Sequence, residues 1–532
     1  MLFSQIVGLT LQFLLLGSST AQSTSCGDLS GQLGQYSSLS IVNASLVNSQ
    51  EIAQVITQSL NISDVPTTTL TGVCRVQAEV AYNLNDTISV ELWLPSPKQW
   101  NGRYIAVGNG GLAGTIDYVT MLAQLEAGFA VAAGDSGHTY AEDGPAVASP
   151  GSYVPFLNSI QQTTEWIHNS MATLTPPTQQ LTALYYGKSP SYNYYYGCST
   201  GGAQGFALAQ YHPELFDGIY AGSPGNWYSH LILSFLWNYV HAQAQNSSFI
   251  DAETLNLITN ATIRQCDAID GVRDGVIENP LKCSFNITSL QCGHGQAPKA
   301  KNGTVQCVTP QQVATYNAFR QGPKEPDTGL QIYPGFDLGS ESGWLAQETS
   351  LALAYAIPIL QNLVFKNLTY DYQSFSFNST DVDHVNSNAS PYIDEISPDL
   401  LGFRRRGAKM ITTQGWADQY NAATWPIDHL NQINTFLSGQ TGVTGNASDF
   451  YRLFMVPGAG HCGASPAYPN VPATYHVLDV LMPWVEKGVA PTAMQSSNPP
   501  SKANITRKLC PWPHTAKLVG SNQNDWTSYQ CE

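Results

Sequence analysis

Two short stretches hold residue types that do chemistry only in company. One is Gly197-Cys-Ser-Thr-Gly-Gly-Ala-Gln-Gly205; the other, far along the chain, is Pro457-Gly-Ala-Gly-His-Cys-Gly463. The first satisfies G-x-S-x-G, a pattern whose small residues let a serine sit on a sharp strand-to-helix turn with its hydroxyl exposed. The chemistry would be nucleophilic attack on a carbonyl. A serine manages this only when a base takes its proton and an acid orients that base. In the chain order serine, acid, histidine, the candidates are Ser199, Asp418 in Gly415-Trp-Ala-Asp418-Gln, and His461. Asp428 and Asp449 compete as acids, and His429 and His476 as bases. The last two fall in helix-like text, where a capping or core histidine is the better reading. If Ser199 and His461 are partners, Cys198 and Cys462 must lie close together. A disulfide between them would tie the serine turn to the histidine loop, provided their Cα atoms stand about 4.4–6.8 Å apart.

Five letters alone are a weak signal, since a Ser/Gly-rich loop matches them; the flanking elements strengthen it. Tyr192-Asn-Tyr-Tyr-Tyr196 is a β-prone run that breaks at Gly197, and residues 203–211 read as a helix ending near His212-Pro213. Ile88–Leu94 alternates like a half-buried strand, while 103–107 and 129–133 are apolar runs that stop at Gly or Asp. Residues 408–413 and 451–456 are two further strands, and Asp418 and His461 follow just beyond their ends. Between about 225 and 400 the pattern lapses into sequons, Pro/Gly-rich loops and four cysteines between 266 and 307. The reading is an α/β-hydrolase core, 22–225 plus 400–532, interrupted by a large inserted lid domain at 226–399.

Composition bounds the setting. The 532 residues are 43% hydrophobic and 11% charged, which is globular rather than disordered. A net charge of -16 disfavours nucleic acid and anionic membrane as partners. Residues 1–21 carry an apolar centre and end in Ser19-Thr20-Ala21, as a secretory signal peptide does, although without Lys or Arg at the start. Ten cysteines and twelve Asn-x-Ser/Thr sequons, Asn43, Asn85, Asn246, Asn367 and Asn504 among them, agree with a secreted, disulfide-bonded glycoprotein.

The pairing of Cys198-Ser199 with Asp418 and His461-Cys462 resembles the CS–D–HC signature of the tannase/feruloyl esterase family, from about residue 75 to the C-terminus. The resemblance implies a secreted carboxylesterase acting on small phenolic esters: feruloyl or caffeoyl esters such as chlorogenate, with galloyl esters (a tannase) as the alternative. Plant cell-wall or tannin esters would be the source. Ala203 departs from the longer or charged residue that often follows CSTGG in the family. The resemblance also implies a structural Ca²⁺, with no cofactor for catalysis. Its ligands would be the carboxylates of Asp267, Asp270 and Asp274 and the carbonyls of Val272 and Val276, in a loop bracketed by Cys266 and Cys283. Three aspartates with intervening glycines suit a hard cation, although the spacing is not that of an EF-hand. Proximity and resemblance together suggest the bridges Cys26–Cys74, Cys266–Cys283, Cys292–Cys307 and Cys510–Cys531.

An oxyanion hole would use the N–H of Thr200, directly after the nucleophile, and a donor at Gly110 or Gly111 in the loop after the 103–107 strand. Asp135 and His138, at the end of another strand, suit either a pocket wall or a structural turn. Two rival classes are weaker. A hydrolase fold kept only for binding would normally lack a triad member, and a Ca²⁺-dependent lectin leaves the cysteine-flanked serine and histidine unexplained.

Overall fold

The computed structural model describes residues 23–31, 38–60, 70–139, 149–293 and 307–532; the expected signal peptide lies outside them. Nine strands form one sheet: β1 Leu39–Val47, β2 Val73–Ala81, β3 Thr87–Leu94, β4 Arg103–Val107, β5 Ala130–Gly134, β6 Tyr192–Cys198, β7 Gly218–Gly222, β8 Lys409–Gly415 and β9 Tyr451–Val456. Their spatial order is β1-β2-β3-β5-β4-β6-β7-β8-β9. The first four in that order pair antiparallel, and β5-β4-β6-β7-β8-β9 run parallel. The sequence pattern follows this division. β2 alternates buried and accessible residues, whereas β4, β5 and β8 are almost continuously buried, as parallel strands covered on both faces must be.

Alternation within β4 divides the core. Tyr104 and Ala106 face one layer with Leu174, Phe206 and Leu437, which come from the helices Ser170–Tyr186, Thr200–Tyr211 and Trp425–Ser438. Ile105 and Val107 face the other layer with Leu125 and Leu481, from the helices Tyr118–Glu126 and Val477–Lys487. Helices on both faces of a largely parallel sheet, with the serine turn after β6, make an α/β-hydrolase fold.

β7 escaped the sequence reading because Gly-Ile-Tyr-Ala-Gly is short and has a glycine at each end. Both ends are required by packing. A Cβ on Gly222 would stand 2.9 Å from the Cys198 sulfur, and one on Gly218 would stand 2.7 Å from the Tyr194 ring. The inserted region is not the irregular stretch its composition suggested. It contributes no strand to the sheet among the described residues, but carries the helices Tyr228–Gln243, Ala252–Cys266, Pro310–Gln321 and Ser379–Asn388. The first is apolar on nearly every side because it is buried, so it shows little helical periodicity. The third starts in a Thr309/Gln312 capping box.

Candidate active site

Ser199 has φ 63° and ψ -122°, between the end of β6 and the helix Thr200–Tyr211. A non-glycine residue there costs roughly 1–3 kcal/mol of backbone strain, so its surroundings must impose it. They do so through backbone bonds. Ser199 donates its N–H to Gly222 O at 2.9 Å, and its carbonyl accepts from Ala203 and Gly225, both at 3.1 Å. The flanking glycines are steric necessities: a Cβ on Gly197 would meet Gly201 O at 2.4 Å, and one on Gly201 would meet Asn109 O at 2.9 Å.

Asp418 emerges just beyond β8 and is 1% exposed. Its Oδ1 accepts from the N–H groups of Tyr420 (2.8 Å) and Asn421 (2.9 Å), and its Oδ2 accepts from Gln414 Nε2 (2.9 Å). His461 Nδ1 lies 2.9 Å from Oδ2 and 3.1 Å from Oδ1. A carboxylate that is acceptor to all its other neighbours requires the proton on Nδ1, which leaves Nε2 as the free base. The histidine loop is fixed in turn. Gly460 and Gly463 bond to each other's carbonyls, His461 donates its N–H to Gln419 Oε1, and Cys462 donates to Ser223 Oγ. Cys198 and Cys462 form a disulfide with Cα atoms 6.0 Å apart, across 264 residues of sequence. The other four pairs are Cys26–Cys74, Cys266–Cys283, Cys292–Cys307 and Cys510–Cys531.

The competing residues are elsewhere. His429 is buried in a helix, stacked on Trp425 and bonded to Asn226; burial pushes its pKa down to about 4. His476 caps a helix and bonds Ser497, Asp449 pairs with Arg404, and Asp428 stands in the first turn of the helix Trp425–Ser438.

Ser199 and His461 line one cleft together with Gly111, Gly225, Asn421 and an aromatic and aliphatic wall from the lid. Gly111 is at this cleft with φ +58°, whereas Gly110 is exposed and outside the lining. Asp135 and His138 serve the turn rather than the cleft. Asp135 accepts from the N–H groups of Ser89 and Gly137, with its pKa raised to about 6 by burial, and His138 stacks on Phe156 and bonds Leu112 O. Sequence reasoning missed Asn109 and Gln204. Asn109 donates its N–H to Gln204 Oε1, and its side chain reaches Thr115 O and Gly134 O. Gln204 Nε2 donates to Trp166 O. These buried amides lock the glycine loop to the serine helix; two amides inside glycine-rich motifs were the available signal.

A model of the family described as tannase and feruloyl esterase matches residues 71–532. The chain belongs to that family. It is 31% identical over 494 residues to an uncharacterized esterase of Xanthomonas campestris, covering 85% of this chain and 82% of that protein. It is 28% identical over 502 residues to feruloyl esterase B of Aspergillus niger, covering 90% of each. Among solved structures, feruloyl esterase B from Aspergillus oryzae superposes with a TM-score of 0.79 at 25% identity, covering 95% of this chain and 99% of that one. Tannin acyl hydrolase from Aspergillus niger shares the fold with a TM-score of 0.76 at 22% identity, covering 96% and 94%. As a member of the tannase and feruloyl esterase family, the protein is a carboxylic ester hydrolase. Ala203 is fully buried in the apolar cluster beneath the lid and is not among the residues found to line the cleft.

The loop expected to hold a cation, residues 267–276, offers the following donors. Asp267 Oδ1 accepts from the backbone N–H groups of residues 274 to 276, and Asp270 Oδ1 accepts from Val272. Asp274 pairs with the buried Arg507, which also reaches Glu278. Burial, then repulsion from Asp274 and Asp267, raises the Asp270 pKa. Oxygen-only donors and mutually repelling carboxylates fit a hard cation. Among the described residues no three side chains form a ready ligand cluster, so the Val272 and Val276 carbonyls would carry much of the coordination. The loop also stands nearer the chemistry than a remote lid element would. Val276 packs with Ala417, Tyr468 and Val471, directly behind the acid and histidine loops.

Proposed function

We propose that the protein is a secreted serine carboxylesterase that hydrolyses phenolic acid esters of the feruloyl or caffeoyl type. The observation that carries the reading is the buried Asp418–His461 pair at 2.9 Å, opening with Ser199 onto one cleft. His461 Nε2 takes the proton of the Ser199 hydroxyl as its oxygen bonds to the ester carbonyl carbon, then returns it to the leaving alcohol. Water repeats the sequence in reverse, releasing the acid. Asp418 holds the imidazole and stabilises its charged form. The N–H groups of Thr200 and of the Gly110–Gly111 turn receive the oxyanion, and Gly111 is the better placed of those two glycines.

The cleft favours a cinnamoyl over a galloyl acyl group. Its lid wall is Tyr228, Leu231, Phe235, Leu351 and Tyr355, and among the described residues no Asp, Glu, Lys or Arg lines it. A flat, mostly apolar ring suits that surface, whereas three adjacent ring hydroxyls require more polar partners than phenols and Asn421 supply. The relative named feruloyl esterase B supports the same choice. Comparing kcat/KM on methyl ferulate, chlorogenate and methyl gallate tests it: ferulate or chlorogenate should lead by at least about tenfold, and a lead for gallate would overturn it.

Secretion is supported by the leader-like N-terminus, by the sequons and by the pairing of all ten cysteines. No helix of the described residues is long and apolar enough to cross a membrane. Asp267, Asp270, Asp274 and the Val272 and Val276 carbonyls would hold the structural Ca²⁺, whose charge would offset the repulsion among those carboxylates. Because bound cation stabilises only the folded state, excess EDTA should lower Tm by several degrees, and re-added CaCl₂ should restore it. An unchanged Tm would count against the metal.

A further inference from the structure

The oxyanion hole has an unusual construction problem. One donor, the Thr200 N–H, starts a buried helix. The other side of the hole is Gly108-Asn-Gly-Gly-Leu-Ala-Gly114, a loop with four glycines in seven residues. Glycine-rich backbone has the greatest conformational freedom to lose, yet an oxyanion donor must be placed to a fraction of an ångström. A turn closed by the Ala113 N–H on Gly110 O spans Gly111, and the rest of the loop is tied at a distance from it. Gly108 bonds Tyr196 O, Asn109 bonds Gln204, Gly114 bonds Asp135 O, and Leu112 O meets His138. At Gly111 itself the tie is different: its carbonyl accepts from the Thr200 hydroxyl at 2.7 Å. Thr200 is 1% exposed, so its end of this part-buried bond is shielded from water.

We propose that the Thr200 side chain is a positioning residue for the oxyanion hole. Its hydroxyl sets the spacing between the helix that carries one donor and the glycine turn that carries the other. This rests on the serine esterase reading above. The same residue then supplies a backbone donor and, through its side chain, clamps the opposing segment. Tyr228, on the first lid helix, stands beside the Thr200 hydroxyl and lines the cleft, so that side chain also lies against the lid.

The test compares Thr200→Val, which keeps the branched shape without the hydroxyl, with Thr200→Ser, which keeps the hydroxyl. Thr200→Val should lose at least about tenfold in kcat on methyl ferulate with KM within about twofold. The affinity for phenylboronic acid, whose tetrahedral adduct places an oxygen in the hole, should fall in parallel, while ferulate binding should hold. Thr200→Ser should recover most of the kcat. Tyr228→Phe should move KM more than kcat. A Thr200→Val enzyme with wild-type kcat overturns the proposal. So does a Tyr228→Phe enzyme that reproduces the whole kcat loss, because the hydroxyl would then serve the tyrosine and not Gly111. Ser199→Ala run alongside separates the two readings: if that variant turns over, the nucleophile assignment has failed rather than the clamp.

Discussion

The two walls of the cleft are built by different physics. On the core wall, every group assigned to the chemistry is held by directional bonds at a strand end. Ser199 is bonded to Gly222, Asp418 to three donors besides the histidine, and the His461 loop to Gln419 and Ser223, with a disulfide across the floor. On the lid wall, Tyr228, Leu231, Phe235 and Leu351 belong to one apolar cluster held mainly by burial and ring contacts, such as Trp166–Tyr228 at 4.9 Å and Phe235–Tyr355 at 5.9 Å. Hydrogen bonds fix distance and angle; apolar burial is non-directional and tolerates sliding. The arrangement suits a reaction with strict geometry beside recognition of a flat group that needs area more than angle.

That contrast predicts where substitutions act, and the core wall should be the less forgiving. Ser199→Ala should lower kcat by at least about a thousandfold while circular dichroism and secretion stay normal. Substantial residual turnover would point to another nucleophile. Next in size is Cys198→Ala/Cys462→Ala. Loss of a bridge closing so long a loop should cost up to about 5 kcal/mol of stability, and loosening of the Ser199–His461 geometry should cost about a hundredfold in kcat. If the mutant, held below its Tm, turns over at the wild-type rate, the bridge is only a staple. On the lid wall, Leu231→Ala should act mainly through KM. It should change the ferulate-to-acetate preference by about tenfold and leave kcat on a short acyl ester nearly intact. An equal loss on every substrate would abolish the distinction between the walls.

The smallest effect concerns pH and draws on buried carboxyls on both sides of the lid boundary. Burial raises Asp337 to about 7 and Glu348 to about 8 in the lid, and Glu165 to about 7 and Asp135 to about 6 outside it. A carboxyl whose folded pKa exceeds its unfolded value, about 3.9 for Asp and about 4.3 for Glu, favours the folded state fully below that value. That contribution is lost as pH rises through about 6 to 8. Tm should therefore be several degrees higher at pH 5.5 than at pH 8.5. Glu348→Gln, which retains an acceptor for Ile250 N–H, should narrow the gap. A gap of unchanged width in that variant would assign the effect to other groups, such as the overall charge of -16.

Much of the core wall was legible because its rules are local. β4 and β9 have the expected boundaries, and β6 and the following helix differ only at their ends. Ser199, Asp418 and His461 were each named from a strand end followed by a small-residue loop. The lid was less legible because its first helix, Tyr228–Gln243, is buried on nearly every side, which removes the amphipathic period, while Ser379–Asn388 buries only Val385 and has almost no apolar face to read. β7 was hidden for a related reason: its glycines answer to Tyr194 and the Cys198 sulfur, neighbours that no local window contains.

The sequence by itself determined the chemistry-bearing residue types, their order and the strand-to-loop transitions that bring them to one edge of the sheet. Those features depend on backbone preferences a few residues long. Tertiary structure alone decided that Gln204 and Asn109 lock the glycine-rich loop 108–114 and that Gly111 rather than Gly110 faces the cleft. It also set Val276 of the 267–276 loop behind the acid and histidine loops and closed Thr200 onto Gly111. Each of these joins segments tens to hundreds of residues apart. Such contacts exist only once the sheet has closed and burial has excluded the water that would otherwise compete for every one of those hydrogen bonds.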